Sequence, residues 1–215
     1  MAGLVISVYG KLPSHADFVS HCVDPELTSE LYDWTQQVVF HSKENMGETS
    51  WLTAYLISPV WRFYLPETEQ RKKSIIGVMI PSVDAVGRYF PMFLVFEIDA
   101  QGMKTEWLYR EANPLFSLLE GVGIQALQER LSLNQVIDLL EAKTSAFDLG
   151  ESLLLPKETQ KNVIHIEELL EKPLSNMGDV TLWWSAMELN GFSSPLCSFS
   201  DLPTVADYQF LLTGQ

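Results

Sequence analysis

SIIGVMI at Ser74–Ile80 and YFPMFLVFEI at 89–98, joined by PSVDAVGR at 81–88, form the stretch from which the fold is read. Both flanking runs are apolar almost without interruption and rich in β-branched and aromatic residues, a composition that suits strands. A sheet with one wet face would alternate apolar and polar residues, so continuous apolarity predicts a sheet covered on both faces. The connection is a long, structured hairpin loop that crowds an acid, a base, a glycine and, counting Pro91, two prolines between the strands. Gly87 permits a turn that a Cβ would oppose. Asp84 and Arg88 are placed to pair, or to bond backbone groups that an irregular loop leaves without partners.

Working outward, residues 4–9 read as a buried strand ending at Gly10, and 11–17 as an ordered loop broken at Pro13. Asp24 before Pro25 is a helix start, because Asp caps free N–H groups and proline suits the first helical position; Leu27, Leu31, Trp34 and Val38 then recur at helical spacing. Residues 51–65, dense in aromatics and interrupted by Pro59, predict a loop or short helical piece leading into a strand near 60–65. Downstream, Asn113-Pro114 repeats the cap-plus-proline signal ahead of Leu115, Leu118, Leu119, Val122 and Ala126, and Ser132 with Gln135 has the spacing of a capping box. Strands are expected over 163–166, 180–184 and 196–199, and a last helix over 203–212. Strands, then helices, then strands again predict an α/β layered sandwich with a mixed sheet.

The 215 residues are 47% hydrophobic, 11% aromatic and 20% charged, which supplies a packed core and excludes a disordered or collagen-like chain. With no Gly/Ser-rich linker and no internal repeat, residues 1–215 are expected to form a single domain. Lys and Arg number 14 against 28 Asp and Glu, a formal net charge of −14, which argues against nucleic acid and anionic membrane surfaces as partners. Half of that net charge falls in residues 145–215, which carry three basic and ten acidic side chains. This is either an acidic interaction face or a well-solvated surface that keeps the protein soluble. Cys22 and Cys197 belong to no CxxC pair and are expected to be reduced thiols. No basic segment with a long apolar run opens the sequence, and no apolar run approaches the roughly 18 residues of a membrane span, so a soluble, cytoplasmic protein is expected.

Several catalytic spellings fail on inspection. Gly10-Lys11 lacks the phosphate-loop context, since Val5 and Leu12 occupy the positions that need Gly and Ser or Thr. Gly121, Gly123 and Ala126 spell GxGxxA, but they lie in a helical pattern and read as small residues for close packing. His15, Asp17, His21 and Cys22 have metal-binding donor types without the spacing of a closed ligand set. Ser82, His15 and Asp84 supply the residue types of a hydrolytic triad, but Ser82 does not sit in GxSxG. Arg62, between Trp61 and Phe63, is placed to stack on a ring or reach a carboxylate. These loop residues either hold the end of the sheet together or form a rigid platform that presents a binding surface.

The sequence resembles the TagF family, also called ImpM, accessory proteins of bacterial type VI secretion systems. The resemblance rests on Gly10-Lys11-Leu12-Pro13 with Asp17-Phe18-Val19, on Pro59-Val60-Trp61-Arg62-Phe63, and on the string from Gly77 through Pro81-Ser82-Val83-Asp84, Val86-Gly87-Arg88 and Phe90-Pro91. Leu182-Trp183-Trp184 and Leu202-Pro203 extend it over nearly the whole chain. Two features depart from the family's usual pattern: Ala16 stands where glycine precedes the Asp-Phe pair, and Ser20 and His21 stand where basic residues follow. The resemblance implies a three-layer α/β/α sandwich, a cytoplasmic location and no established catalytic chemistry. It also implies post-translational negative regulation of secretion through a forkhead-associated-domain scaffold protein of the same system.

The expectation is therefore a non-enzymatic binding protein with no cofactor, no metal, no nucleic-acid partner and no membrane insertion. Its candidate binding residues are Lys11, Asp17, Arg62, Ser82, Asp84 and Arg88, with the acidic C-terminal third, Glu167 and Glu168 included, as a second candidate surface for the scaffold's basic face. The rival is a hydrolase or phosphate-handling enzyme with its site around His15, Asp17, Asp84 and Arg88. A third reading is a self-associating structural component, which exposed aromatics would reveal.

Overall fold

The computed structural model describes residues 5–145, 178–186 and 196–214, save 22, 70, 101, 102 and 179. Its strands are β1 (Ile6–Gly10), β2 (Val19–His21), β3 (Trp61–Leu65), β4 (Ser74–Ile80), β5 (Met92–Ile98), β6 (Thr181–Trp184) and β7 (Leu196–Phe199). Its helices are α1 (Pro25–Met46), α2 (Glu48–Ile57), α3 (Thr105–Tyr109), α4 (Asn113–Gln128), α5 (Leu133–Thr144) and α6 (Val205–Thr213). The seven strands form one sheet in the order β2-β1-β5-β4-β3-β6-β7.

Every residue of β3 and β4 is buried, because successive side chains enter different layers. Ile76, Val78 and Ile80 of β4 pack with Leu115, Leu119 and Val122 of α4 and with Val136 and Leu140 of α5. Ile75 and Met79 face the other way, into a cluster with Leu27, Leu31 and Val38 of α1, Trp51 and Tyr55 of α2, and Tyr208 and Leu211 of α6. The result is the expected α/β sandwich of three layers, with helices on both faces of the sheet. All six strand pairings are antiparallel, which corrects the mixed sheet read from the sequence. Parallel neighbours need a crossover helix, but α1 and α2 connect β2 to β3, which lie four places apart in the sheet. The central strands β3, β4 and β5 form a meander instead.

Local signals in the sequence mostly hold. Asp24 accepts a hydrogen bond from Glu26 N at 2.7 Å and caps α1, with Pro25 in its first turn. Ser132 and Gln135 form a capping box on α5, Thr204 and Asp207 form another on α6, and Gly214 ends α6 in a left-handed conformation. Asn113 differs: α4 begins there, but its amide oxygen accepts from Arg62 Nη1 at 2.6 Å and caps nothing. Residues 48–57 form a helix of 10 residues, the short helical alternative of the loop or short helical piece expected there, and β2 and α3 had no sequence signal. The strand expected over 163–166 lies outside the described residues.

The two helical glycines of α4 also separate. A Cβ on Gly123 would lie 2.0 Å from Ile80 Cδ1, so this position holds α4 against β4, whereas Gly121 faces open space. Gly123→Ala is expected to destabilise the protein by about 1–3 kcal/mol through overpacking. Gly121→Ala should stabilise it by about 0.4–1 kcal/mol by restricting the unfolded chain and improving helix propensity. Thermal denaturation of both variants reads the two signs.

Candidate functional site

The connection between β4 and β5 is organised around one carboxylate. Asp84 is buried, and its Oδ1 accepts Val86 N at 3.0 Å and Arg88 N at 2.9 Å, closing the turn 84–88 from inside. Asp84 N donates to Arg88 O at 3.1 Å and Gly87 N to Asp84 O at 3.1 Å, while Gly87 adopts φ +89, a conformation suited to glycine. Below the turn, Ser82 is held from two sides. Tyr55 OH, at the end of α2, accepts from Ser82 N and donates to Ser82 O, both at 2.9 Å. Ser82 Oγ donates to Lys11 O at 2.6 Å. Burial pushes the Tyr55 phenol well above its ordinary range, so it remains a neutral group able to do both.

Lys11 arrives from β1 because of the glycine before it. Gly10 has φ +123, and a Cβ there would lie 2.2 Å from Pro91 O, so only glycine lets the end of β1 pass this close to β5's entry. Lys11 Nζ then reaches Asp84 Oδ2 at 2.7 Å and stands 5.0 Å over the ring of Phe18. Arg88 Nε donates to the same Oδ2 at 2.7 Å, and its Nη2 to Ala16 O. Ala85 N donates to His15 O at 2.8 Å, so loops 11–18 and 81–91 are fastened together at three levels. Burial alone opposes a charge on Asp84. The Lys11 ammonium, the Arg88 amide and guanidinium and the Val86 amide outweigh it, and they hold the carboxyl well below the usual carboxylate range.

Four of the six candidate binding residues, Lys11, Ser82, Asp84 and Arg88, thus meet in one network. Asp17 lies on the same loop but is exposed, and its Oδ1 accepts Phe18 N at 2.8 Å outside that network. Arg62 belongs to a different cluster. Its Nε and Nη2 grip Glu120 of α4 at 2.7 Å each, Nη1 takes Asn113, and the guanidinium lies 5.6 Å over Phe116, so it joins the sheet to α4. The Ser82–His15–Asp84 triad is not assembled: Ser82 Oγ bonds a carbonyl, His15 Nδ1 pairs with Ser14 Oγ at 2.9 Å, and Asp84 is occupied by two cations. Among the described residues no group of three metal-binding side chains converges. Tyr55 and the carbonyls of His15 and Ala16 escaped sequence reasoning. Tyr55 was one ring in an aromatic-dense stretch, and backbone acceptors leave no trace in residue identity.

Asp84→Asn leaves the Lys11 ammonium buried without its counter-ion and is expected to cost about 3–5 kcal/mol at neutral pH. Because the folded carboxyl is held below its unfolded value, its contribution is complete above about pH 4 and is lost as pH falls further. The stability gap between wild type and Asp84→Asn should therefore narrow in acid, as read by urea denaturation from pH 7 down to pH 2. Tyr55→Phe strips Ser82 N and O of a buried partner and is expected to cost about 1–3 kcal/mol without pH dependence over this range.

Comparison with known structures finds PA0076 of Pseudomonas aeruginosa PAO1, a crystal structure similar over 98% of this chain and 95% of that one, with a TM-score of 0.76 at 23% identity. That likeness establishes the fold. A search of curated proteins finds no match. The family profile described as the TagF N-terminal domain, type VI secretion system-associated, matches residues 7–142. That span takes in both loops of the Asp84 network and helices α1 to α4, and the chain belongs to this family of type VI secretion system-associated proteins.

Proposed function

We propose that this chain acts by binding rather than by covalent chemistry, as a cytoplasmic, post-translational negative regulator that holds a forkhead-associated-domain scaffold protein of the secretion system in a state unable to promote assembly. The observation that carries this reading is the use made of the charged groups in the loops. Lys11, Ser82 and Asp84 are buried and bonded to one another, so the network fixes a shape and presents no reactive group to a substrate. A preformed surface of this kind loses little freedom on binding, which favours tight association. Family membership supplies the setting in a type VI secretion system. Among the described residues no helix is long and apolar enough to cross a membrane.

Repression by binding has a quantitative requirement. A protein that moves its partner from 1:99 to 99:1 in favour of the idle state must prefer that state by about 10⁴-fold, roughly 5.5 kcal/mol. Equal affinity for both states would repress nothing, however tight the complex. The net charge of −14 gives such an interface a salt-sensitive component. The acidic stretch with Glu167 and Glu168 that was a second candidate surface lies outside the described residues.

Calorimetric titration of the folded chain against the scaffold protein of the same system, at low and moderate salt, tests the proposal. Saturable binding that weakens with salt is expected. Absence of binding by a protein whose fold is verified by circular dichroism would overturn it.

A further inference from the structure

A cleft of about 960 Å³ lies between the first half of α1, the β3–β4 connection and the residues that join β7 to α6. Five carboxylates line it, Glu26, Glu30, Asp33, Glu69 and Asp201, against one cation, Arg71. That cation is fully engaged. Arg71 is 5% exposed, with Nε and Nη2 on Glu30 and Nη1 on the carbonyl of Pro66, and Thr68 N donates to Arg71 O at 2.7 Å. These bonds fix the β3–β4 connection against α1, so the cleft is preformed. Every nitrogen of its one guanidinium already holds an oxygen, which leaves the cleft poorly suited to an anion.

The remaining carboxylates have no counter-ion. Glu26, Asp33, Glu69 and Asp201 are exposed, and no ion pair among the described residues includes any of them. Lys72 donates to the backbone carbonyl of Glu69 and not to its carboxylate. Like charges gathered on a concave surface focus their field there, which raises the local concentration of cations. A buried group senses that field. Tyr9 is 5% exposed and makes no side-chain hydrogen bond among the described residues, and burial, then Tyr32 and Asp33, push its phenol up. A cleft carboxylate without a counter-ion and a buried hydroxyl without a partner thus lie within electrostatic reach of each other, and the fold supplies neither.

No three metal-binding side chains converge among the described residues, so the carboxylates are spread along the cleft rather than gathered on one point. That spacing suits an extended ligand with several cationic heads, and Leu27 in the lining gives their apolar stems a surface. We infer that the cleft docks an arginine- or lysine-bearing segment of the partner protein, its cationic heads among Asp33 of α1, Glu69 of the β3–β4 connection and Asp201 ahead of α6. This rests on the binding role proposed above and gives that role a place and a chemistry apart from the loops around Asp84.

The test is calorimetric titration of the full chain and of Asp33→Lys, Glu69→Lys and Glu141→Lys against the scaffold protein, at low and moderate salt, with melting temperatures measured in parallel. Glu141 is exposed on α5, in the layer on the other face of the sheet, so its variant makes the same change in net charge away from the cleft. At low salt, affinity should fall by about tenfold or more in Asp33→Lys and Glu69→Lys and stay within about twofold in Glu141→Lys, the loss shrinking as salt rises. Should a lysine variant fail to fold, Asp33→Asn and Glu69→Gln take its place, with a smaller loss expected. Wild-type affinity in the folded cleft variants, or an equal loss in Glu141→Lys, overturns the cleft as the docking site while leaving the regulator reading intact. No binding by the wild type overturns both. Spermidine binding that Asp33→Lys abolishes, with scaffold affinity untouched, would assign the cleft to a small cation and overturn a protein segment as its occupant.

Discussion

One carboxylate with two cations on a single oxygen governs the loop end of this molecule. Asp84 Oδ2 receives Lys11 and Arg88 at 2.7 Å each, while Oδ1 receives two backbone amides. An irregular loop carries amides with no ladder to join, and these must find acceptors or face water. Asp84 supplies the acceptor from inside, and its charge in turn requires a counter-ion at that depth. The lysine can reach it only because Gly10 lets the end of β1 run against Pro91. Each choice in the chain of residues from Gly10 to Arg88 follows from the one before it.

The remainder of the sandwich obeys a simpler constraint. A sheet whose strands are apolar on both sides must be covered on both, and α4 with α5 covers one face while α1, α2 and α6 cover the other. Charged groups enter this interior with partners, whereas the buried Thr35 Oγ1 and Trp51 Nε1 have no hydrogen-bond partner among the described residues. Arg62 brings a cation to the sheet and finds Glu120, Asn113 and Phe116 on α4. Trp61 of β3 buries its ring and donates to Leu211 O of α6, and the half-buried Trp34 of α1 donates to Pro203 O, just ahead of α6 in the same helical layer.

Much of this was legible from residue types, and the misses have physical causes. The covered sheet was readable because β4 and β5 lack a polar period, and α1, α5 and α6 because their caps are short-range chemistry between neighbours in sequence. Strand direction was not readable, since a helix between two strands implies a parallel pair only when the strands become neighbours, and that is a long-range fact. Asn113 looked like a cap because its distant partner Arg62 is invisible locally. For the candidate site, Asp84 with Arg88 was readable as a pair within one turn. Lys11 and Ser82 were readable as candidates but not as contacts of the same group. Arg62 was grouped with them through proximity to the sheet's end, whereas strand alternation turns it toward α4.

The ion pair between Lys11 and Asp84 spans 73 residues of sequence. Its formation requires β1 to have docked beside β5, a non-local pairing whose loop-closure entropy is met late compared with the β3–β4–β5 meander. A chain in which β1 has not yet docked beside β5, or one clipped between Lys11 and β2, holds the same turn sequence without the ammonium that shapes it. The exposed turn is thereby a certificate of completed folding, and a partner that recognises its shape is kept from engaging immature copies.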